Sequence, residues 1–151
     1  MSSDREELLK RLILVGREYS DAGVFFHAAM ARRLGLHLTD YKTLGVLERA
    51  GPMSAGQIAE HTGLATASVT DLLDRLERKG FVRRVDDPAD RRRVVAEAVP
   101  KKIAAAARGF APVQRAWARL YDNYSERELA VIADFLARGA ELLRVETEKL
   151  P

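Results

Sequence analysis

Ser54-Ala55-Gly56-Gln57-Ile58-Ala59-Glu60-His61-Thr62-Gly63-Leu64-Ala65-Thr66-Ala67-Ser68-Val69-Thr70-Asp71-Leu72-Leu73-Asp74-Arg75-Leu76 is the stretch on which the fold turns. Its first four residues form a capping box: the Ser54 hydroxyl can accept the Gln57 amide while the Gln57 side chain reaches back, and Met53 and Ile58 can close a hydrophobic staple. A helix is therefore expected to start at Ser54. It is expected to stop at Thr62-Gly63, since glycine accepts the left-handed conformation found just past a helix end. A second helix begins within a few residues, because Val69, Leu72, Leu73 and Leu76 fall at i, i+3, i+4 and i+7 on one apolar stripe. Thr66, Ser68, Thr70, Asp71 and Arg75 lie off that stripe. Two helices joined by a short glycine-containing turn, the second with a polar outer face, make a helix-turn-helix pattern.

The residues beyond Leu76 narrow the pattern. Gly80 ends the second helix, and Phe81 to Val85 and Val94 to Val99 are β-rich runs around the turn-forming Asp86-Asp87-Pro88-Ala89-Asp90. Arg91, Arg92 and Arg93 then lie near the tip of a hairpin. Three clustered guanidiniums repel one another and gain nothing from folding, so they face an external anion or are simply solvated. Their position after a helix-turn-helix favours the anion. The expected fold class is mainly α (α+β), a winged helix-turn-helix.

The run Leu72-Leu73-Asp74-Arg75-Leu76-Glu77-Arg78-Lys79-Gly80-Phe81-Val82, then Asp87-Pro88-Ala89-Asp90-Arg91-Arg92, resembles the signature of MarR-type transcriptional regulators. The resemblance extends to a long N-terminal helix, the helix start at Leu38-Thr39-Asp40-Tyr41, and two C-terminal helices, and so covers essentially the whole chain. It implies a single domain over 1–151, with dimerisation helices in 1–36 and 101–151 and a DNA-binding winged helix-turn-helix in 37–100. It also implies a homodimer, since family members interleave their terminal helices. Two departures stand out: Asp71 occupies a position that is often basic or neutral in the family, and Val99-Pro100-Lys101-Lys102 replaces the usual threonine cap and the glycine after it.

Length and charge agree with this. At 151 residues the chain fits one domain. Its net charge of +3 permits an anionic partner without demanding one. The charge is uneven, with eight basic and four acidic residues between Arg75 and Arg93. Cysteine is absent, which excludes disulfides, thiolate metal sites and a thiol redox sensor. No apolar run is long enough to cross a bilayer, and the start Met1-Ser2-Ser3-Asp4-Arg5-Glu6-Glu7 lacks the order of a secretion signal, so a cytoplasmic location and no membrane partner are expected.

Outside the central stretch, Asp4 to Leu34 reads as helix, with Leu8, Leu12, Val15 and Tyr19, then Phe26, Met30 and Leu34, in two apolar stretches around Gly16 and Gly23. At about 1.5 Å per residue it is longer than a small domain is wide, so part of it is expected on a second chain. The alternative is a kink at Gly23 that folds it back on its own core. Thr39 is a good N-cap for the next helix, with Asp40 in its first turn and Leu44, Leu47 and either Val46 or Ala50 as its buried side. Pro100 suits a first helical position, and helical spacing continues through Ile103, Ala107, Phe110 and Trp117 to Tyr121. Ser125-Glu126-Arg127-Glu128 is a second capping box, after which Leu129, Ile132, Ala133, Leu136, Ala140 and Leu143 form a stripe that needs a partner surface.

Enzyme chemistry has poor candidates. His27, His37 and His61 have no partner at ligand spacing, and HExxH, Walker A and GxGxxG motifs are missing, so no catalytic residue, metal or cofactor is assigned. Carboxylates sit mostly in helices near Lys or Arg, as at Glu77 and Arg78 or Asp134 and Arg138, where solvated pairing is the better reading.

For double-stranded DNA the assignment is direct. Thr66, Ala67, Ser68 and Thr70 in the N-terminal half of the second helix would meet base edges or phosphates. Asp71 needs pairing by Arg75 or by a cytosine amine, and Arg75 either reaches a phosphate or pairs with Asp71 at i, i+4. The resemblance assigns Asp90 to orienting the wing and Arg92 to the minor groove, with Arg91 or Arg93 on the backbone. A two-fold dimer would address a pseudo-palindromic operator. The resemblance further implies repression released by a small aromatic effector held between the dimerisation helices and the DNA-binding region. Phe26, Met30, His37, Tyr41 and Trp117 are candidates to line that space, His37 for its place between two leucines at a helix junction, though each also suits ordinary core packing. The competing class is a winged-helix module for protein contacts without DNA.

Overall fold

The computed structural model describes residues 3–150. Met1, Ser2 and Pro151, with which the assigned segments 1–36 and 101–151 and the N-terminal start begin or end, lie outside the described residues. Among the described residues the order is α1 (Ser3–Arg33), α2 (Leu38–Ala50), α3 (Ala55–Thr62), α4 (Thr66–Arg78), β1 (Val82–Asp87), β2 (Asp90–Ala98), α5 (Pro100–Ala107), a 3₁₀ turn (Arg108–Phe110), α6 (Ala111–Tyr121) and α7 (Glu126–Glu148).

The two capping boxes form as their sequences dictate. Gln57 N–H donates to Ser54 Oγ at 3.3 Å and Ser54 N–H to Gln57 Oε1 at 2.9 Å, so α3 begins at Ala55 with Ser54 as its cap. Ser125 and Glu128 repeat the exchange at the start of α7, and their hydrogen bonds hold the Glu128 carboxyl below its ordinary range. Gly63 closes α3 at φ +71°, a conformation that a side chain would strain. At the end of α4, Gly80 N–H donates to Glu77 O and Phe81 N–H to Leu76 O, which reverses the chain and brings Phe81 back over Leu76 in the core.

Val69, Leu72, Leu73 and Leu76 of α4 are all buried. They pack with Ile58 of α3, Leu44 and Leu47 of α2, and Phe81, Val82 and Ala96 at the root of the hairpin, while Ala31 and Leu36 close the cluster from the end of α1. One core thus joins the helix-turn-helix to the hairpin. Met53 adds a single bridge to Ala96, with backbone hydrogen bonds in both directions, so the residue before the α3 cap is fastened to β2.

Three boundaries differ from expectation, each for a local reason. First, α2 starts at Leu38 with His37 as its N-cap, and no side chain caps it; Thr39 lies inside the first turn. Second, the helical segment after Pro100 breaks at Arg108–Phe110 and restarts, because Pro112 has no amide to bond back to the Arg108 carbonyl. Third, the hairpin is longer and its loop tighter. The ladder pairs Val82 with Ala98 through Asp86 with Val94, then jumps to Asp87 with Asp90. Arg91, Arg92 and Arg93 fall in that jump, on β2 and not in the turn, and have no partner across the ladder.

The long first helix runs unbroken through Gly16 and Gly23 for 31 residues, which overturns the kinked alternative. Leu8, Leu12, Val15 and Tyr19 are exposed along it, whereas Met30 and Ala31 are buried at its far end. The stripe of α7 is likewise open, with Ile132, Leu136 and Leu143 exposed.

The one charged residue in the core among those described is Asp40 of α2, 1% exposed. It accepts Arg75 Nε at 2.9 Å on Oδ2 and Arg75 Nη2 at 2.7 Å on Oδ1, a bidentate pair between α2 and α4. The Arg75 side chain keeps 33% of its exposure, so water recovers part of the loss when the pair is broken. Asp40→Ala is expected to lower stability by about 1 to 3 kcal/mol in denaturant titration, against less than about 0.5 kcal/mol for the exposed Asp71→Ala. Equal losses from the two would contradict the pairing.

Candidate nucleic-acid interface

At about 3.6 residues per turn, the face of α4 directly opposite its buried stripe carries Ala67, Asp71, Asp74 and Arg78, flanked by Thr66 and Thr70 on one side and Ser68 and Arg75 on the other. Thr66, Ala67, Ser68, Thr70 and Asp71 are all exposed. Thr70 Oγ1 donates to the Thr66 carbonyl at 3.1 Å, so its hydroxyl hydrogen is committed and only its acceptor lone pairs and methyl face outward. Arg75 is engaged by Asp40 and not by Asp71, and the hydrogen bond to Asp40 raises its pKa further. The sequence could not show this, because Asp40 lies 35 residues away.

On the wing, all three arginines are exposed. Asp90 Oδ1 accepts the Arg92 N–H at 3.0 Å, and Asp87 Oδ1 accepts the Ala89 N–H at 2.9 Å. Two aspartates thus satisfy the backbone where the ladder is interrupted and fix the base of Arg92 without touching its guanidinium. Arg93 turns back toward the body of the protein: its Nη2 lies 3.5 Å from Ser54 Oγ and its Nε 3.9 Å from Asp87 Oδ2. Neither the Arg91 nor the Arg92 guanidinium has a hydrogen bond or ion pair among the described residues.

The other cations of the basic region are largely occupied. Arg84 donates to Asp74 Oδ1 at 2.6 Å and also pairs with Glu77, which raises its pKa and ties β1 to α4. Arg83 pairs with Glu97 across the hairpin. Arg78 donates to the Asp74 carbonyl at 3.4 Å. Glu77 is thus held by the hairpin and not by its neighbour Arg78, whereas Asp134 and Arg138 pair along α7 as expected.

A cavity of about 410 Å³ lies between α1, α2, α5 and α6. Phe26, Tyr41 and Trp117 line it, as the sequence suggested. Met30 and His37 do not: Met30 is buried in the core end of α1, and His37 is exposed at the N-terminus of α2. In their place the cavity takes His27, Lys42 and Phe110. Tyr41 stacks on Phe110 with ring centroids 6.3 Å apart and planes 5° off parallel, and His27 tilts against Tyr41 at 5.9 Å.

Lys42 Nζ lies 3.3 Å from His27 Nδ1. An ammonium can only donate, so this nitrogen is the acceptor of a neutral imidazole. Burial, then the Lys42 charge, lowers the His27 pKa. Burial and Glu48 raise that of Tyr41, so its hydroxyl stays protonated. The one legible signal for His27 was its place beside Phe26, one turn before Met30.

Residues 36–94 match the model of the MarR family. Over 148 residues the chain is 40% identical to an uncharacterised helix-turn-helix-type transcriptional regulator, YcgE of Bacillus subtilis (strain 168), covering 98% of this chain and 96% of that one. Among solved structures, a MarR family protein from Bacillus stearothermophilus superposes with a TM-score of 0.66 at 22% identity, over 95% of this chain and 98% of that one. Wild-type MarR from Escherichia coli in its apo form gives 0.59 at 22%, over 86% and 94%.

The cavity histidine makes stability depend on pH. Its folded pKa lies below the unfolded value near 6.5, so its contribution is complete above that value and is lost as pH falls through the folded pKa. Melting followed from pH 7.5 to 5 should show a fall in Tm that His27→Gln makes shallower. An unchanged slope in the variant would assign the acid sensitivity to other groups.

Proposed function

This chain belongs to the MarR family, and we propose that it is a DNA-binding transcriptional regulator that works as a homodimeric, cytoplasmic repressor released by a small aromatic ligand. The observation that carries the DNA reading is that two exposed guanidiniums on the wing, Arg91 and Arg92, are neutralised by no carboxylate of the described chain, in a fold whose α4 leaves a hydroxyl-bearing face exposed. A narrow, A·T-rich minor groove concentrates negative potential, and Arg92, its backbone held by Asp90, is the arginine prepared to enter it. Arg91 meets the phosphate backbone, and Arg93 braces the wing against Ser54. Thr66, Ala67, Ser68 and Thr70 lie in the major groove, where hydroxyls and methyls give modest direct readout. Arg75 contributes by holding α4 in place.

Dimerisation is supported by two open apolar faces. Leu8, Leu12, Val15 and Tyr19 on α1 and Ile132, Leu136 and Leu143 on α7 leave more apolar surface in water than a lone domain of this size tolerates. A second copy covers them and sets two α4 helices against half-sites about one helical turn apart on a pseudo-palindrome. No described helix is long and apolar enough to cross a membrane. The effector reading rests on the cavity, where stacked rings and a cationic Lys42 suit a flat, acidic molecule. Such a ligand shifts regulation only by binding one spacing of the two DNA-binding regions better than another.

Arg92→Ala is expected to weaken operator binding by about 1 to 3 kcal/mol in a gel-shift titration, with a smaller loss from Arg93→Ala. The logarithm of affinity should fall steeply with that of salt concentration as several phosphates are neutralised. A flat salt dependence would instead mark a module for protein contacts. Replacing Ile132 and Leu136 together by Glu should convert a dimer to monomers in sedimentation equilibrium, and a species already monomeric before substitution would remove the dimer from the proposal.

A further inference from the structure

Three carboxylates lie on α4, and the structure treats them unequally. Asp74 and Glu77 are both held by Arg84. Asp71 has no hydrogen bond or ion pair among the described residues, although it is the residue on the outward line of the helix one turn beyond Ala67. Arg75, the cation placed to pair with it at i, i+4, has been drawn to Asp40 and senses Asp71 only as a nearby charge. An unneutralised carboxylate on the face that enters a groove lined with phosphates is repelled unless something in that groove donates to it. Thr70 beside it is likewise an acceptor, its hydrogen being used by Thr66.

We infer that Asp71 is a specificity-determining residue that accepts the N4 amine of a cytosine on the major-groove edge of each half-site. This deepens the reading of α4 as the DNA-contacting helix and rests on it. The choice among bases comes from donor and acceptor chemistry. An ionised carboxylate can only accept. Guanine and thymine present acceptors in the major groove and repel it; adenine offers its N6 amine but sets N7, an acceptor, beside it. Cytosine alone presents a donor with no acceptor next to it on the same base. The same carboxylate weakens binding to every duplex that lacks cytosine at that position, so affinity is exchanged for discrimination.

The test is selection from a randomised duplex pool by the full-length wild type, Asp71→Ala and Asp71→Asn, all at one salt concentration and with equal melting temperatures as the folding control. Wild type should enrich cytosine at one position in each half-site, and changing that C·G pair to T·A in the selected duplex should cost on the order of tenfold in affinity. Asp71→Ala should lose the preference there and keep it elsewhere. Asp71→Asn should move it to adenine, whose N6 and N7 fit a carboxamide in bidentate fashion. If Asp71→Ala retains every base preference, or tightens on all duplexes alike, the carboxylate merely repels and the inference fails while the DNA reading stands. If wild type enriches no sequence, the reading of α4 falls and takes the inference with it.

Discussion

The fork between Arg75 and Asp40 fixes how α4 sits on the rest of the molecule. Ile58, Leu72 and Leu76 supply cohesion, but apolar contact is non-directional and leaves a helix free to roll by part of a turn. A carboxylate that is 1% exposed, met by two parallel N–H groups, tolerates no such roll, since losing the geometry would leave a charge without solvent or partner. The pair also decides what α4 presents outside. Arg75 points into the α2 junction, so the outward face keeps hydroxyls, the Ala67 methyl, Arg78 and two carboxylates, of which Arg84 holds Asp74 and Asp71 stands unpaired. With Arg84 bound to Asp74 and Glu77, and Arg83 to Glu97, three of the eight cations counted from Arg75 to Arg93, Arg75 included, are held by carboxylates of the fold itself. The cations left for an external anion are concentrated at the irregular end of the hairpin.

The fold is legible in the sequence wherever its cause is local. Ser54 with Gln57, Ser125 with Glu128, glycine at the ends of α3 and α4, and the stripe Val69-Leu72-Leu73-Leu76 each involve residues within a turn or two, and the structure realises each. The differences cluster where a distant or competing group intervenes. Thr39 has the chemistry of a cap, but the helix starts a residue before it and uses no side chain for capping. Pro112 interrupts a periodicity that is continuous when only apolar spacing is counted. Proline and aspartate mark a turn with the wing arginines near its tip, and there they lie; what no local signal announces is that the loop closes to two residues and that Arg91 to Arg93 occupy a break in the ladder.

The cavity shows the same limit. Phe26, Tyr41 and Trp117 can be named from sequence because aromatic residues near an expected helix junction are plausible walls. Which polar groups join them depends on helix rotation. His37 stands only four residues from Tyr41 and points elsewhere, while His27, fourteen residues away, tilts against the Tyr41 ring. Spacing along a chain predicts neighbours within one helix; it does not say which face of α1 meets which face of α2.

Position in the fold then relates the cavity to α4. Asp40 and Tyr41 are consecutive residues in the first turn and a half of α2, one anchoring Arg75 and the other stacked on Phe110 of the segment between α5 and α6. A small rotation of α2 therefore cannot change the cavity wall without moving the carboxylate that orients α4. Close packing makes such junctions switch between discrete arrangements in preference to bending gradually. Outside this junction, α1 and α7 carry their apolar stripes into open space, while the core around Ile58 and Leu76 is already closed. Each DNA-binding region is thus complete within one chain, and what a second chain would supply is the distance between two of them. The cavity lies between these two parts, and its wall reaches the closed core at Leu44.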